Sequence, residues 1–404
     1  MLVMPRPLRP LWLAIVVALV VGITAIALAV ALSSSPGADG DSDEVRASVN
    51  VLSGQMRSLT DDVQTLLETV ETLKAQLAQV QCCGPAADTT SIQGLSGSVK
   101  WLDGVLARNG KIYGIPAGAS SVLVLDATTN TATTIPLTGG DDLWRGGVLA
   151  ANGKIYGVPF NSVVVLIIDP ATNTIDMTTI QGLTGGRKWL GGVLAPSGKI
   201  YCMPHGSASM LIIDPNTNTA NTVAAGGGGG DWAGGVLAGN GKIYGIPHNS
   251  ASVLIIDPDT NATDTATITG LTGATKWLGG VLAGNGKIYG IPAGSSSVLV
   301  ISPGTNTADT ITVPGVSSSA KWYGGILAGN GKIFFMPFET PFVLIFDPDT
   351  NTVDTTSITG LAAAGAWGGG VLAGNGKIYG MPHVSESVLI LQQTCRACEV
   401  VKGL

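Results

Sequence analysis

Charge is scarce in this chain. Only 12% of its 404 residues are charged, 21 basic against 27 acidic, and no run of Lys or Arg occurs. A net charge of −6 without a basic patch excludes nucleic-acid binding, which needs clustered cations to neutralise phosphates. Histidine is limited to three residues and aromatics to 5%. The G-x-S-x-G, H-E-x-x-H and Walker patterns are missing, which removes the common serine-hydrolase, zincin and P-loop readings. Cysteine is sparse and oddly placed: Cys82 and Cys83 precede a repeated region, Cys395 and Cys398 follow it, and Cys202 stands alone inside. In the repeats no run is long or periodic enough for a helix, so arrays that need helices in every unit (TPR, HEAT, ankyrin) are excluded.

One apolar run is long. Residues 11–32 carry no charge and suffice to cross the roughly 30 Å hydrocarbon core as a helix. Arg6 and Arg9 precede the run, so the positive-inside rule keeps residues 1–10 in the cytoplasm and everything after residue 35 outside. A cleaved signal peptide is the competing reading, although its apolar region is usually only about 7 to 15 residues. Residues 33–44 read as a flexible linker. Over 45–81 the apolar residues keep alternating steps of three and four, with Val49, Met56, Val63, Val70 and Leu77 at a and mainly leucine at d. Five heptads of that kind predict a coiled-coil stalk, a parallel dimer or a trimer. At about 1.5 Å per residue it would hold the next domain roughly 50 Å from the bilayer. The expected localisation is a single-pass type II membrane protein with its C-terminal head on a cell or virion surface.

Glycine is abundant, 57 residues, and concentrated where the chain repeats itself. Seven tryptophans mark the period: Trp101, Trp144, Trp189, Trp232, Trp277, Trp322 and Trp367. Each unit holds four short β-like runs: GGVLA, KIYGIP, SVLIID and a Thr-rich run, separated by AGNGK, a small polar loop and DPxTNT. The expected fold is all-β, a seven-bladed β-propeller of four-stranded blades over 82–404, with the glycine-rich run innermost. The last unit stops one strand short. DTTSIQGL at 88–95 matches the missing run and predicts that the N-terminal end closes the ring. Closure brings Cys82 and Cys83 beside Cys395 and Cys398, which read as two disulfides; a four-thiolate zinc site and interchain disulfides are the alternatives.

The unit KIYGIPHNSASVLIIDPDTNATDT at 242–265 resembles the YVTN-type propeller repeat of surface-layer and extracellular proteins, across about 300 residues. The Trp-Gly-Gly-Val-Leu-Ala start departs from that family, and LTGATKW is similar to the tryptophan-docking motif of quinoprotein propellers. Such likeness implies a fold more than a function.

Strand alternation puts AGNGK and DPxTNT on one face of the ring, and the Trp connection and the loop after the IP dipeptide on the other. The second face varies between blades, as a binding surface would. After the proline stand Ala117, Phe160, His205, His248, Ala293, Phe338 and His383. The candidate ligand-binding face comprises those aromatics and histidines with the seven tryptophans. A tryptophan repeated in every blade also reads as inter-blade packing, and the histidines as exposed loop side chains rather than metal ligands. DPDTN at 257–261 and 347–351 imitates the start of a calcium loop but lacks its later Gly and Glu. Asn261 heads a glycosylation sequon.

The function these features predict is an oligomeric, membrane-tethered recognition or adhesion head for a glycan or surface protein, without cofactor. The alternative is a propeller enzyme of lyase or glycoside-cleaving type. Its candidate groups are Asp103, Asp141, Asp142, Arg145, Arg187, Asp231, Glu339, Glu386 and the histidines, scattered over different blades. Convergence of two or three of them in one concave pocket would favour that alternative.

Overall fold

The computed structural model describes residues 42–81, 84–137, 143–226, 231–316 and 321–393. The expectations for the apolar run 11–32 and for Cys82, Cys83, Cys395 and Cys398 fall outside them. Among the described residues no helix is long and apolar enough to cross a membrane. The heptad stretch belongs to one compact unit and the repeats to another. It folds as a single continuous helix, Ser42–Gln81, on which the d-position residues Leu59 and Leu66 are each 45% exposed.

The second unit is a seven-bladed β-propeller built from seven four-stranded antiparallel sheets. Blade 1 contains Trp101–Leu106, Lys111–Pro116, Ser121–Asp126 and Thr131–Pro136. The Trp-led strand is innermost in every blade. It contacts the corresponding strand of the next blade, and the last, Trp367–Leu372, contacts the first. Each tryptophan opens its strand opposite the proline of the second strand, and a bulge follows it. The indoles are buried, at 0–4% exposure, and each Nε1–H donates to the backbone carbonyl twenty residues on, as from Trp101 to Ser121 at 2.7 Å. Trp189 packs against Tyr156, Val158 and Ile167 of the preceding blade. The seven tryptophans are therefore inter-blade core, and none presents its ring as a platform for a ligand.

The ring closes through the N-terminal segment. Ala86–Asp88 pairs with Leu389–Gln392, Ala87 opposite Leu391, as the outer strand of blade 7. Regular strand thus covers residues 86–88, and of DTTSIQGL only Asp88 lies in it. The reason is local: the Asp88 carboxylate accepts from the backbone N–H of Thr90 at 2.7 Å and of Ser91 at 3.1 Å, which turns the chain. Pairing then resumes, from Val388 N–H to Ile92 O at 3.0 Å and from Leu95 N–H to Glu386 O at 3.0 Å. Asp176, Asp264 and Asp354 make the same turn in blades 2, 4 and 6.

A second network fastens the turn face. Tyr201 donates from its hydroxyl toward Asn261 Oδ1 at 2.7 Å and Pro258 O at 2.9 Å in the next blade. Tyr113 and Asn173, Tyr156 and Asn218, Tyr244 and Asn306, and Tyr379 and Asn130 repeat the contact. The receiving asparagines sit in the left-handed region, φ 52–60°, which Asn tolerates well. Blade 6 carries Phe334 instead of Tyr. Its neighbour, blade 7, ends without the DPxTNT turn that would accept the hydroxyl. There Gln393 bridges Asn330 N–H at 3.1 Å and Gly376 O at 3.0 Å.

Candidate functional site

The Trp end of the axis holds the chemistry. Two positions after the tryptophans stand Asp103, Gly146, Gly191, Gly234, Gly279, Gly324 and Gly369. Blades crowd so closely here that a Cβ at Gly191 would lie 2.8 Å from Gly234 Cα, and one at Gly234 would lie 2.9 Å from Gly279 Cα. Glycine is thus obligatory through most of this ring, and Asp103 is the one side chain in it. Its carboxylate accepts from Gly104 N–H at 2.9 Å and from Gly147 N–H of blade 2. Burial raises the Asp103 pKa to about 6, against the opposing pull of those two amides.

A cavity of about 170 Å³ occupies this end of the axis. Glycine backbone, Leu190 and Leu278 form most of its wall, and Asp103, Arg145 and Tyr323 supply its titratable side chains. Arg145 and Tyr323 occupy the same position in blades 2 and 6, directly after the tryptophan. The Arg145 guanidinium stacks on Phe160, with Cζ 4.1 Å from the ring centroid. Tyr323 packs on Phe338 at 5.7 Å.

Two of the residues after the prolines back the cavity's side chains, Phe160 under Arg145 and Phe338 against Tyr323, and the expectation of exposed loop side chains is corrected. Ala117, Phe160, Ala293 and His383 are buried, while His205, His248 and Phe338 are half-buried. Phe160, His205 and His248 pack in a row across blades 2 to 4, tilted for the first pair and edge-to-face for the second, with centroid spacings of 5.6 and 5.1 Å. His383 packs apart from them on Phe338 at 5.2 Å, its Nδ1 3.0 Å from Gly365 O. Desolvation lowers the His205 pKa and brings that of His248 down to about 4, with the nearby His205 and Lys276 adding to the shift.

What folds these loops inward is a set of buried lysines. Lys188 Nζ donates to Gly185 O, Ser162 O and Phe160 O at 2.8, 2.9 and 3.1 Å. Lys276 and Lys100 bind the loops of the preceding blades in the same way. Burial lowers the pKa of all three. In the fold these lysines are structural pins.

Of the scattered candidates, Asp103 and Arg145 meet in the axial cavity. Arg187, Glu339 and Glu386 are exposed away from it, Asp231 is half-buried at the blade 4 connection, and Asp141 and Asp142 fall outside the described residues. Tyr323 was missed by motif reading, whereas the glycine lining was expected, and aligning the seven units by their tryptophans exposes Asp103 as the odd member of its column. Elsewhere, Asn261 is half-buried with its carboxamide oxygen engaged by Tyr201. Asp257 and Asp347 cap their own turns and pair with Lys242 and Lys332 at 3.5 and 3.7 Å, which is hairpin chemistry. Cys202 is fully buried in a position that is glycine in most blades, and burial pushes its thiol pKa up.

No protein-family model and no curated protein sequence matches the chain. Among solved structures it is similar to a streptogramin B lyase, with TM-score 0.65 and 12% identity over 76% of this chain and 97% of the other. A catalytically inactive variant of virginiamycin B lyase from Staphylococcus aureus, solved with quinupristin, gives TM-score 0.65 and 10% identity over 76% and 99%. The extracellular domain of a candidate one-component system from B. thetaiotaomicron gives 0.59 and 12% over 75% and 42%. At these identities the likeness is one of fold.

Proposed function

We propose that the propeller is a recognition head which takes a small polar ligand, or the end of a glycan or surface protein, into the axial cavity at its Trp end. The observation that carries this reading is the meeting of Asp103, Arg145 and Tyr323 around one cavity whose wall is otherwise glycine backbone and leucine. Such a site is concave and furnished with a few convergent polar groups, the usual anatomy of a ligand pocket. The repeat chemistry is of YVTN type, and residues 11–32 anchor the chain with the head outside the cytoplasm. Self-association of the 45–81 helix as a parallel dimer or trimer gives weak single contacts avidity. The likeness to an extracellular domain agrees with that placement.

An enzyme is the second reading, and one observation favours it. A carboxylic acid with a pKa near 6, in a cavity that a guanidinium and a phenol also line, suits general acid–base work near neutral pH. The lyase likeness points the same way. Two of the scattered candidates, Asp103 and Arg145, do converge in this cavity, but recognition remains the stronger reading because among the described residues the cavity lining holds one carboxylate, no second acid and no histidine. The two separate in a single comparison. The full chain and its D103N variant are screened against glycan and surface-protein arrays, and hits are followed for product. Arrayed ligands retained intact support recognition. Ligand consumed by the full chain and spared by D103N establishes catalysis instead.

A further inference from the structure

The cavity wall itself says what chemistry the ligand carries. In each blade the inner strand pairs with the second strand so that the residue six after the tryptophan is hydrogen-bonded across the hairpin, as Ala195 N–H is to Lys199 O and Ala238 N–H to Lys242 O. In antiparallel pairs the bonded and non-bonded positions alternate. The glycine three after the tryptophan is therefore non-bonded, as at Gly192 opposite Cys202, Gly235 opposite Gly245 and Gly280 opposite Gly290. Its N–H and C=O point away from the second strand. For an innermost strand that direction is the axis. Blade 1 demonstrates the consequence, since the Gly104 and Gly147 amides of two successive blades hold a carboxylate between them, that of Asp103.

We propose that the axial cavity binds a small hydroxylated carboxylic acid, whose carboxylate docks on the Gly192, Gly235 and Gly280 amides as the Asp103 carboxylate docks on Gly104 and Gly147. In those blades the residue preceding the amide is Gly191, Gly234 or Gly279, so no resident carboxylate covers the Gly192, Gly235 and Gly280 amides, and all six glycines line the cavity. Arg145 adds a positive charge to the same wall, and paired amides with a guanidinium favour an oxyanion over a neutral group. The carbonyls that face the axis beside each amide accept from the ligand's hydroxyls. A volume of about 170 Å³ limits the bound part to about the size of one monosaccharide ring. Asp103 is then a resident carboxylate on the same ring of amides, a neighbour that an incoming anion must tolerate.

This inference rests on the recognition reading, and the experiment keeps the two apart. The full chain in detergent is titrated with glucuronate, glucose and glucosamine, an acid, a neutral and a cationic probe of one size. Glucuronate is expected to bind about tenfold tighter than glucose, the advantage of a charged hydrogen-bonded group. Arg145→Gln should remove most of that advantage. Asp103→Gly copies the residue of the other six blades, so folding is preserved, and it frees two more amides; it should bind glucuronate a few-fold better than the parent. Arg145, Tyr323 and, through Arg145, His205 are the other titratable groups around Asp103. Glucuronate affinity of the parent should rise as pH falls through about 6, where Asp103 loses its charge, and the Asp103→Gly variant should lose that part of the rise, any contribution from His205 being common to both proteins. Glucose equal to glucuronate, glucosamine as the tightest probe, or an Asp103→Gly variant that binds the acid more weakly would each overturn the inference while leaving recognition in place. Probe turnover would overturn the recognition reading itself.

Discussion

Single residues decide how this ring is fastened and how its centre is charged. The tyrosine hydroxyls on the turn face are buried donors directed at acceptors in the next blade, as the Tyr201 hydroxyl is shared between Asn261 Oδ1 and Pro258 O. Tyr201→Phe keeps the ring and removes the donor. It should cost about 1–2 kcal/mol, read as a lower denaturation midpoint with unchanged slope. Phe334 is the natural control, because its neighbour offers no turn to receive a hydroxyl. Asp103 works in the opposite sense. Its folded pKa, about 6, lies above the ordinary 3.8, so its ionised form is a burden on the folded state. That burden is full above about pH 6 and is relieved as the pH falls and the group takes up its proton. Asp103→Asn should therefore raise stability by on the order of 2 kcal/mol at pH 8 and by little at pH 4. Equal gains at both pH values would show that Asp103 carries no ionisation penalty.

At the scale of elements, what the sequence discloses depends on whether a signal is local. Four runs per unit, their turns and the innermost placement of GGVLA are legible because hairpin chemistry acts between neighbours in the chain. The closing strand is legible because its text recurs, although the Asp88 turn that shortens it to Ala86–Asp88 is a side-chain event that strand patterning does not contain. The axial cavity is hidden for the opposite reason. Asp103, Arg145 and Tyr323 come from blades 1, 2 and 6 and meet only once seven units close into a ring. Lys188 misleads too, since a lysine beside a tryptophan reads as solvated until three carbonyls surround it. The helix Ser42–Gln81 presents a heptad pattern with exposed Leu59 and Leu66, an apolar stripe that a second copy would cover. If that stripe is the stalk seam, sedimentation of the full chain in detergent should give a dimer or trimer, and the Leu59→Lys, Leu66→Lys double variant a monomer. An unchanged mass in the variant would place self-association elsewhere.

The whole molecule turns on closure. Every blade shares its core with the next, so six interfaces follow from chain order and the seventh exists only because residues from the two ends of the repeat region build one sheet. Ile92 and Trp101 share a core cluster with Val371, Tyr379, Met381, Val388 and Ile390, which ties blade 7 to blade 1 through apolar contacts as well as the three-residue ladder. Removing residues 84–95 would strip the outer strand from blade 7 and leave Leu389–Gln392 as an open edge beside exposed apolar surface. Such a variant should melt well below the parent and aggregate in proportion to its concentration. Because the axial cavity is assembled from blades on both sides of the seam, the same deletion should weaken ligand binding although it touches no cavity residue. A synthetic peptide of residues 84–95 added in excess should recover both melting temperature and binding by mass action, since it binds the folded ring and not the unfolded chain. A deletion variant as stable as the parent would show that the seven shared cores suffice without the strand. A variant that melts low but binds normally would show that the cavity is set by blades 2 to 6 alone.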